Sequence, residues 1–172
     1  MKPRPADEGD AKPRGRSGAA FLLAQVGAHA ASKFAERIAE LKLVPAHAGI
    51  FRILSGTPGM SQQELASALG TLPSRLVALV DELESRELVE RRPHESDRRS
   101  HALHITDAGR STLEAVSRMA REHQQALLAG LSQEEQLQLA GLLQRIADQQ
   151  GLRPKVHPGY RSVGKLETDS KP

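Results

Sequence analysis

The sequence predicts a mostly α-helical domain in which a helix-turn-helix is followed by a two-stranded β-hairpin. Three observations support this fold class. Apolar residues recur at spacings of three and four over most of residues 17–150, which is the period of amphipathic helices. Two short helical segments flank Gly70-Thr71-Leu72, the arrangement of a helix-turn-helix. The period then becomes that of strands at Leu88–Arg91 and Ala102–Ile105.

The first two helices follow from apolar spacing and from a proline. One apolar stripe runs along about residues 17–41, which predicts a long amphipathic helix there. Pro45 suits the first position of a second helix, where a missing N–H costs nothing. The residues of this second helix expected to point inward are Ile50, Phe51 and Leu54.

The third and fourth helices are delimited by capping signals. Ser61 and Glu64 form a capping box, in which each side chain satisfies an amide of the first turn. Gly70 fits the position just past the end of this helix. Pro73 then opens the fourth helix. The residues expected on its buried face are Leu76, Leu79, Val80 and Leu83.

The hairpin and the last two helices complete the predicted domain. The two strands enclose a charged tip at residues 92–100. Thr106 can cap a helix after the second strand, and a second capping box at Ser132–Glu135 opens a final helix. The first helix and the last two helices each carry an apolar stripe, and a small domain has too little other surface to bury all three stripes. Burial against a second copy is therefore expected, and mutual packing within a monomer is the alternative.

Composition excludes several classes of protein. The chain has 172 residues and no cysteine, so disulfide scaffolds and thiolate zinc sites are excluded. Aromatic residues make up 2%, which argues against the stacking platforms that bind single-stranded nucleic acid. No motif of a catalytic, cofactor or metal site is present, so we expect no enzyme, no cofactor and no metal. No apolar run reaches the length of a membrane span. The signal-like start is interrupted by Gln25 and Gly27, which favours a cytoplasmic protein.

The positive charge is concentrated in the two ends of the chain. Residues 1–16 carry five basic and three acidic side chains, and residues 151–172 carry five and two. The stretch between them, 17–150, carries 14 basic and 16 acidic side chains. The sequence pI of about 9.5 therefore reflects the ends, which also contain Pro and Gly and are expected to be flexible tails. Any surface for nucleic acid must come from local clustering within 17–150.

The fourth helix is the candidate reading element of the helix-turn-helix. In this motif the second helix enters the DNA major groove, and its early residues meet base edges. Opposite the buried face lie Ser74, Arg75 and Ala78, of which Arg75 can form a bidentate pair with guanine. The acidic far end, from Asp81 to Glu84, is expected to point away from phosphate.

The hairpin supplies the clustered basic charge. Arg91, Arg92, Arg98 and Arg99 lie on its strands and tip, and an arginine at a tip can enter the narrow minor groove. Asp97 is expected to orient a neighbouring guanidinium while Arg99 inserts. The alternative is a solvated charged hairpin. The full set of candidate DNA-binding residues is Gln62, Gln63, Pro73, Ser74, Arg75, Ala78, Arg98 and Arg99, with Asp97 as the residue that orients the tip.

The sequence resembles the MarR family of bacterial transcriptional regulators. The resemblance is carried by Ser61–Ala66, Leu79–Glu84, Leu88–Arg91, Ser96–Arg99 and Ile105–Gly109. It implies a winged helix-turn-helix with a helical dimerisation region, acting as a homodimer on double-stranded operator DNA. It also implies that Asp97 and Arg99 match the family's wing motif, and that a small-molecule effector of unknown identity controls repression. The alternative function is a winged-helix module that binds protein and not DNA.

The resemblance also implies boundaries within the chain. It places the recognition helix at about 72–86 and the wing at 92–100. The winged helix-turn-helix is expected at about 45–105, between dimerisation helices at about 17–41 and 107–150.

Two positions depart from the family pattern, and three histidines remain open. Ala78 replaces a polar or basic residue in the middle of the recognition helix, so thymine methyl contact is an alternative mode of base recognition. Glu87 replaces a glycine after that helix, so the helix is expected to end differently. The histidines at 29, 47 and 123 are expected to be packing residues, with an effector cavity as the alternative.

Overall fold

The computed structural model describes residues 18–93, 101–153 and 156. Within these ranges the chain forms six helices and a small antiparallel sheet, so the predicted mostly helical fold class is confirmed. The expected N-terminal tail at 1–16 lies outside the described residues. The elements in chain order are α1 Ala19–Ala39, α2 Pro45–Gly56, β1 Met60–Ser61, α3 Gln62–Leu69, α4 Pro73–Ser85, β2 Val89–Pro93, β3 His101–Ile105, α5 Asp107–Leu127 and α6 Gln133–Gln149.

The sheet has a third strand that the sequence does not reveal. The strand order is β1-β3-β2, and central Leu103 pairs with Met60 on one side and Arg91 on the other. β1 has two residues, which is too short for an alternating pattern to be visible. Its position is fixed by the sheet, and the preceding Gly59 N–H donates to the Leu103 carbonyl at 3.0 Å. β2 reaches Pro93, which an edge strand tolerates.

One hydrophobic core joins the helix-turn-helix to the sheet. The predicted inward residues of α2 are fully buried, and so are Leu76, Val80 and Leu83 of α4, whereas Leu79 is partly buried. α2 packs against α5 and the sheet, while α3 packs against α4. This packing fixes the direction of α4 relative to the hairpin. Further buried members of the core are Ile38, Leu65, Leu69, Val89, Leu103, Ile105 and Val116.

The end of α4 keeps the left-handed turn despite its glutamate. Glu87 has φ of +56°, a region that L-residues enter at a cost. The Glu87 N–H donates to the Glu84 carbonyl and the Leu88 N–H donates to the Leu83 carbonyl, both at 2.9 Å. These two bonds form the usual glycine-type helix end. The expectation that Glu87 would force a different end is therefore wrong, because the hydrogen bonds and the buried Leu88 hold the turn in place.

The start of α5 is locked to the same turn. Thr106 Oγ1 accepts a hydrogen bond from the Gly109 N–H at 3.0 Å and donates to the Glu87 carbonyl at 2.7 Å. Gly109 lies so close to Leu88, the residue before β2, that an added Cβ would meet the Leu88 carbonyl oxygen at 2.0 Å. Only glycine fits this approach of helix to strand.

The outer helices leave much apolar surface uncovered. None of the residues of α6 is buried, although Leu139, Leu142, Leu143 and Ile146 lie on one face. The first half of α1 is likewise exposed, whereas its end at Ile38 joins the core. The large exposed apolar residues of the two helices are Phe21, Leu22, Leu23, Val26, Leu137, Leu142, Leu143 and Ile146.

Part of the expected C-terminal tail contacts the helix-turn-helix. Arg153 donates a hydrogen bond to the Ser67 carbonyl of α3 at 3.2 Å, and Val156 packs against the core. The other residues after 153 lie outside the described ranges, so their expected flexibility stays a prediction.

Candidate nucleic-acid interface

The helix-turn-helix has the geometry that its capping signals predict. Ser61 Oγ accepts from the Glu64 N–H, and the Glu64 carboxylate accepts from the Ser61 N–H, so the capping box is formed. Gly70 ends α3 in the left-handed conformation, with φ of +64°. The Thr71 N–H donates back to the Ala66 carbonyl at 3.0 Å, which turns the chain toward α4. The tight turn therefore sets α4 across the end of α3.

The outward face of α4 carries most of the predicted base-reading residues. Pro73 starts the helix, and Ser74 and Ala78 are exposed on the face opposite the core. Arg75 is only partly exposed. The same face also presents Val77, whose relative exposure is 41%. Sequence reasoning missed Val77, although position 77 lies outside the predicted buried set.

Leu72, the residue before α4, is a second exposed apolar residue that the sequence analysis does not single out. Leu72 occupies the N-cap position without a side-chain hydrogen bond and is 71% exposed. Polar residues with short side chains are preferred at this position because they accept a bond from the first turn. The unusual residue type is visible in the sequence and could have identified the position.

The first turn of α3 offers one accessible and one partly covered glutamine. Gln63 is exposed, whereas Gln62 is partly buried and its Nε2 has no hydrogen-bond partner within the described ranges. Both backbone amides lie at the positive end of the helix dipole, where a phosphate can bind. The Glu64 carboxylate lies in the same turn, which makes this end less attractive to phosphate than the sequence alone indicates.

Arg91 has a different role from the one expected. The sequence predicts that it belongs to the basic cluster of the hairpin, but its guanidinium forms salt bridges with both Asp81 and Glu84 of α4. Its backbone N–H also donates to Glu84 Oε1 at 3.2 Å. The side chain is largely covered, so it is not available to bind phosphate. The pairing arises because the register of β2 brings position 91 beside the acidic end of α4.

The remaining acidic residue of α4 faces the buried histidine of α2. His47 is fully buried, and burial, with a smaller effect of the Arg86 charge, lowers its pKa to about 4. The ring is therefore neutral at pH 7, its Nδ1 accepts from the Val44 N–H at 3.3 Å, and its Nε2 lies 3.4 Å from Glu82 Oε2. His47 is a packing residue at the junction of α2 and α4, as expected.

The tip of the hairpin lies outside the described residues. Pro93 pairs with His101, so the two strands run in register up to the tip. Asp97, Arg98 and Arg99 belong to the undescribed part, and their roles remain predictions. Arg92 is exposed near the tip and pairs with Glu90.

Other kinds of site are not indicated in the described ranges. No cluster of three metal-ligating side chains occurs there. No helix of the described part is long and apolar enough to cross a membrane. His123 packs its ring against Phe34 with centroids 5.8 Å apart, and burial is the main cause of its lowered pKa. The outward face of α4 and the first turn of α3 therefore remain the candidate site.

Comparison with known proteins identifies the family of the chain. The family model described as MarR family matches residues 45–101. A Thauera aromatica protein assigned to transcriptional regulation of the hcr operon is 32% identical over 112 residues, covering 65% of this chain and 68% of the relative. The HTH-type transcriptional regulator BilQ of Clostridium symbiosum is 36% identical over 89 residues, covering 52% of this chain and 62% of the relative.

A solved structure extends the likeness over most of the domain. The transcriptional repressor CouR, bound to a 23-mer DNA duplex, is 34% identical and superposes with a TM-score of 0.67. The match covers 76% of this chain and 92% of CouR. Identity above 30% over nearly all of that protein, together with the matched family model, gives the assignment: this chain belongs to the MarR family of transcriptional regulators.

Proposed function

We propose that this chain is a homodimeric, ligand-responsive repressor that binds double-stranded operator DNA. The observation that carries the proposal is the exposed face of α4, held by the capped α3 and the Gly70 turn in the arrangement of a reading helix. The likeness to CouR, whose structure contains a DNA duplex, supports the same function. A repressor acts where the chromosome is, so we further propose a cytoplasmic location.

The proposed contacts divide between base edges and phosphates. The first two turns of α4 would enter the major groove. They carry the proposed base contacts Pro73, Ser74, Arg75 and Ala78. The amides of Gln62 and Gln63 would hold a phosphate at the start of α3, which fixes the register of the protein on the duplex. At the wing, we propose that Arg98 and Arg99 enter the minor groove and that Asp97 orients them.

The ion pairs of Arg91 remove an objection to DNA binding. Residues 17–150 carry a slight negative charge, and the acidic end of α4 would repel phosphate. Because the Arg91 charge offsets one of the two negative charges of Asp81 and Glu84, the repulsion near α4 is smaller than the sequence indicates.

The uncovered helices support a homodimer. An apolar face as long as α6, with no buried residue, is costly to leave in water. A two-fold axis would bury this face and the start of α1 against the same surfaces of a second copy. Gly27 has open space around its Cβ position, so a partner helix could approach closely.

A response to an effector requires a connection between the dimer helices and α4. The Arg86 guanidinium, at the end of α4, donates to the carbonyls of Leu41 and Lys42 just after α1, at 3.0 and 2.7 Å. A ligand that moves α1 would therefore move the end of α4 as well. We propose this contact as the route by which an effector changes the spacing of the two reading helices.

Selection from a random duplex pool tests the DNA-binding part of the proposal. We expect enriched fragments with two related half-sites about one helical turn apart, and an affinity that falls steeply with salt. Failure to enrich any duplex would contradict DNA binding and would favour the protein-interaction alternative. Sedimentation at micromolar concentration tests the dimer, and a single monomeric species would contradict it.

Single variants test the proposed contacts on a selected operator. Arg99→Ala should lower affinity broadly, and Arg75→Ala should relax sequence preference, since one contacts the minor groove and the other contacts a base. Gln138→Ala, on the exposed surface of α6, is the control. Equal binding by all variants would remove these two residues from the interface.

A further inference from the structure

The outward face of α4 is poor in groups that can form hydrogen bonds with bases. Leu72 and Val77 are 71% and 41% exposed, and Ala78 is also exposed. Among the polar residues, Ser74 is exposed and Arg75 is partly covered, while the exposed Asp81, further along the same face, is paired with Arg91. Since successive helical residues are about 100° apart, Ser74, Val77 and Ala78 share the outward side. The surface that would meet the bases is therefore largely apolar.

Leu72 and Val77 occupy helix positions at which their residue types lower the stability of α4. Leucine at the N-cap lacks the side-chain acceptor that would stabilise the first turn of α4. Valine loses side-chain freedom in a helix, and exposed Val77 recovers little of that loss by burial. Residues that break local preferences without an evident structural gain often lie at functional sites. Leu72 and Val77 fit this description within the described helix-turn-helix.

Base edges in the major groove offer one apolar group, the C5-methyl of thymine. The other groups there are hydrogen-bond donors and acceptors, and covering them with leucine or valine would leave them unsatisfied. An apolar reading face therefore discriminates in two ways. It gains from burying a methyl group, and it penalises a base pair whose polar edge it would dehydrate.

We propose that Val77, together with Leu72 and Ala78, recognises thymine methyl groups in each half-site of the operator. The inference rests on the proposed DNA binding and specifies its chemistry. Operator specificity then depends on apolar contact at these positions, with Ser74 and Arg75 adding polar contacts. The selected half-sites should place thymines where α4 enters the groove.

Deoxyuridine tests this directly, because it pairs as thymidine does and lacks only the methyl group. Binding of the purified dimer would be measured on the selected operator and on copies with one thymidine at a time replaced by deoxyuridine. Loss of one contacted methyl should weaken binding about fourfold, and loss at both symmetric positions about fifteenfold. Thymidines outside the α4 contacts should show no effect.

Variants then connect the methyl to the residue. Val77→Ala should weaken binding to the thymidine operator and bind the thymidine and deoxyuridine operators almost equally, as a double-mutant cycle requires. Ser85→Ala, at the far end of the same helix, is the matched control and should keep the full preference. Leu72→Ala provides a second variant at the other exposed apolar position.

The outcomes separate this inference from the proposed function. If no duplex is enriched, the proposed function fails and the inference fails with it. If the operator binds tightly and every deoxyuridine copy binds equally well, the repressor stands and the methyl inference is overturned. A preference for thymidine that persists in both Val77→Ala and Leu72→Ala also overturns it, because other groups would then read the methyl.

Discussion

Replacing Gly109 with alanine should disrupt the junction between α5 and the sheet. The new Cβ would lie 2.0 Å from the Leu88 carbonyl oxygen and 2.7 Å from a side-chain carbon of Ile105. The first of these is a backbone atom that also accepts a hydrogen bond from the Thr106 N–H, so it cannot move alone. The first turn of α5 would therefore have to shift, and the bonds of Thr106 would be strained with it.

The magnitude follows from these contacts. Overpacking costs about 1–3 kcal/mol. Loss of a helix cap adds about 0.5–2 kcal/mol. Alanine regains about 1 kcal/mol by its helix propensity. With a clash this severe against backbone, we expect a net loss of about 3 kcal/mol, or a Tm lower by about 6–12 °C.

Gly141→Ala is the matched control for the same chemical change. Gly141 lies in α6 with open space around its Cβ position, so the substitution should stabilise the protein by about 1 kcal/mol. Urea unfolding followed by circular dichroism would measure both variants at one fixed protein concentration, since dimerisation couples stability to concentration. Equal unfolding midpoints for Gly109→Ala and Gly141→Ala would refute the close approach of α5 to Leu88.

Three other substitutions test separate features. Glu87→Gly should stabilise the protein by about 1 kcal/mol, because glycine adopts the left-handed turn without the cost that Glu87 bears; an unchanged urea midpoint would contradict that strain. Arg91→Ala should weaken operator binding most at low salt, because the pair Asp81 and Glu84 then carries two uncompensated negative charges near phosphate instead of one; equal operator affinity of Arg91→Ala and the unchanged protein at every salt concentration would show that the pairs do not affect binding. The pKa of His47 is about 4 in the folded chain and about 6.5 in the unfolded chain, so the unfolded chain binds the proton first as the pH falls. The free energy of unfolding should therefore be constant above about pH 6.5 and fall by about 3 kcal/mol toward pH 4. The His47→Gln variant should show a smaller loss over that range in urea titrations, and an identical pH profile would exclude His47 as the cause.

Local chemistry made much of the fold predictable. The Ser61 capping box, the Gly70 helix end and the Pro73 start are each decided by a few neighbouring residues, and the structure confirms them. The buried faces of α2 and α4 follow from apolar spacing and are confirmed, with Leu79 less buried than expected. Capping and periodicity therefore locate the helix-turn-helix without any tertiary information.

Features that depend on distant parts of the chain were not predictable in the same way. Strand β1 exists because Met60 meets Leu103, a partner more than forty residues away. Arg91 pairs with α4 because of the register of β2, so its charge was assigned to the wrong surface. Exposure of Leu72 also depends on how α4 leaves the turn. The wing residues Asp97, Arg98 and Arg99 lie outside the described ranges and stay predictions.

The most direct test of the account changes the spacing between the two half-sites of the selected operator. If a two-fold dimer places one α4 in each of two successive major grooves, inserting about five base pairs would turn one half-site to the opposite face of the duplex. Affinity should then fall to that of a single half-site, whereas the operator without the insertion should keep its full affinity. Unchanged affinity for the operator with the insertion would contradict simultaneous reading by two copies of α4.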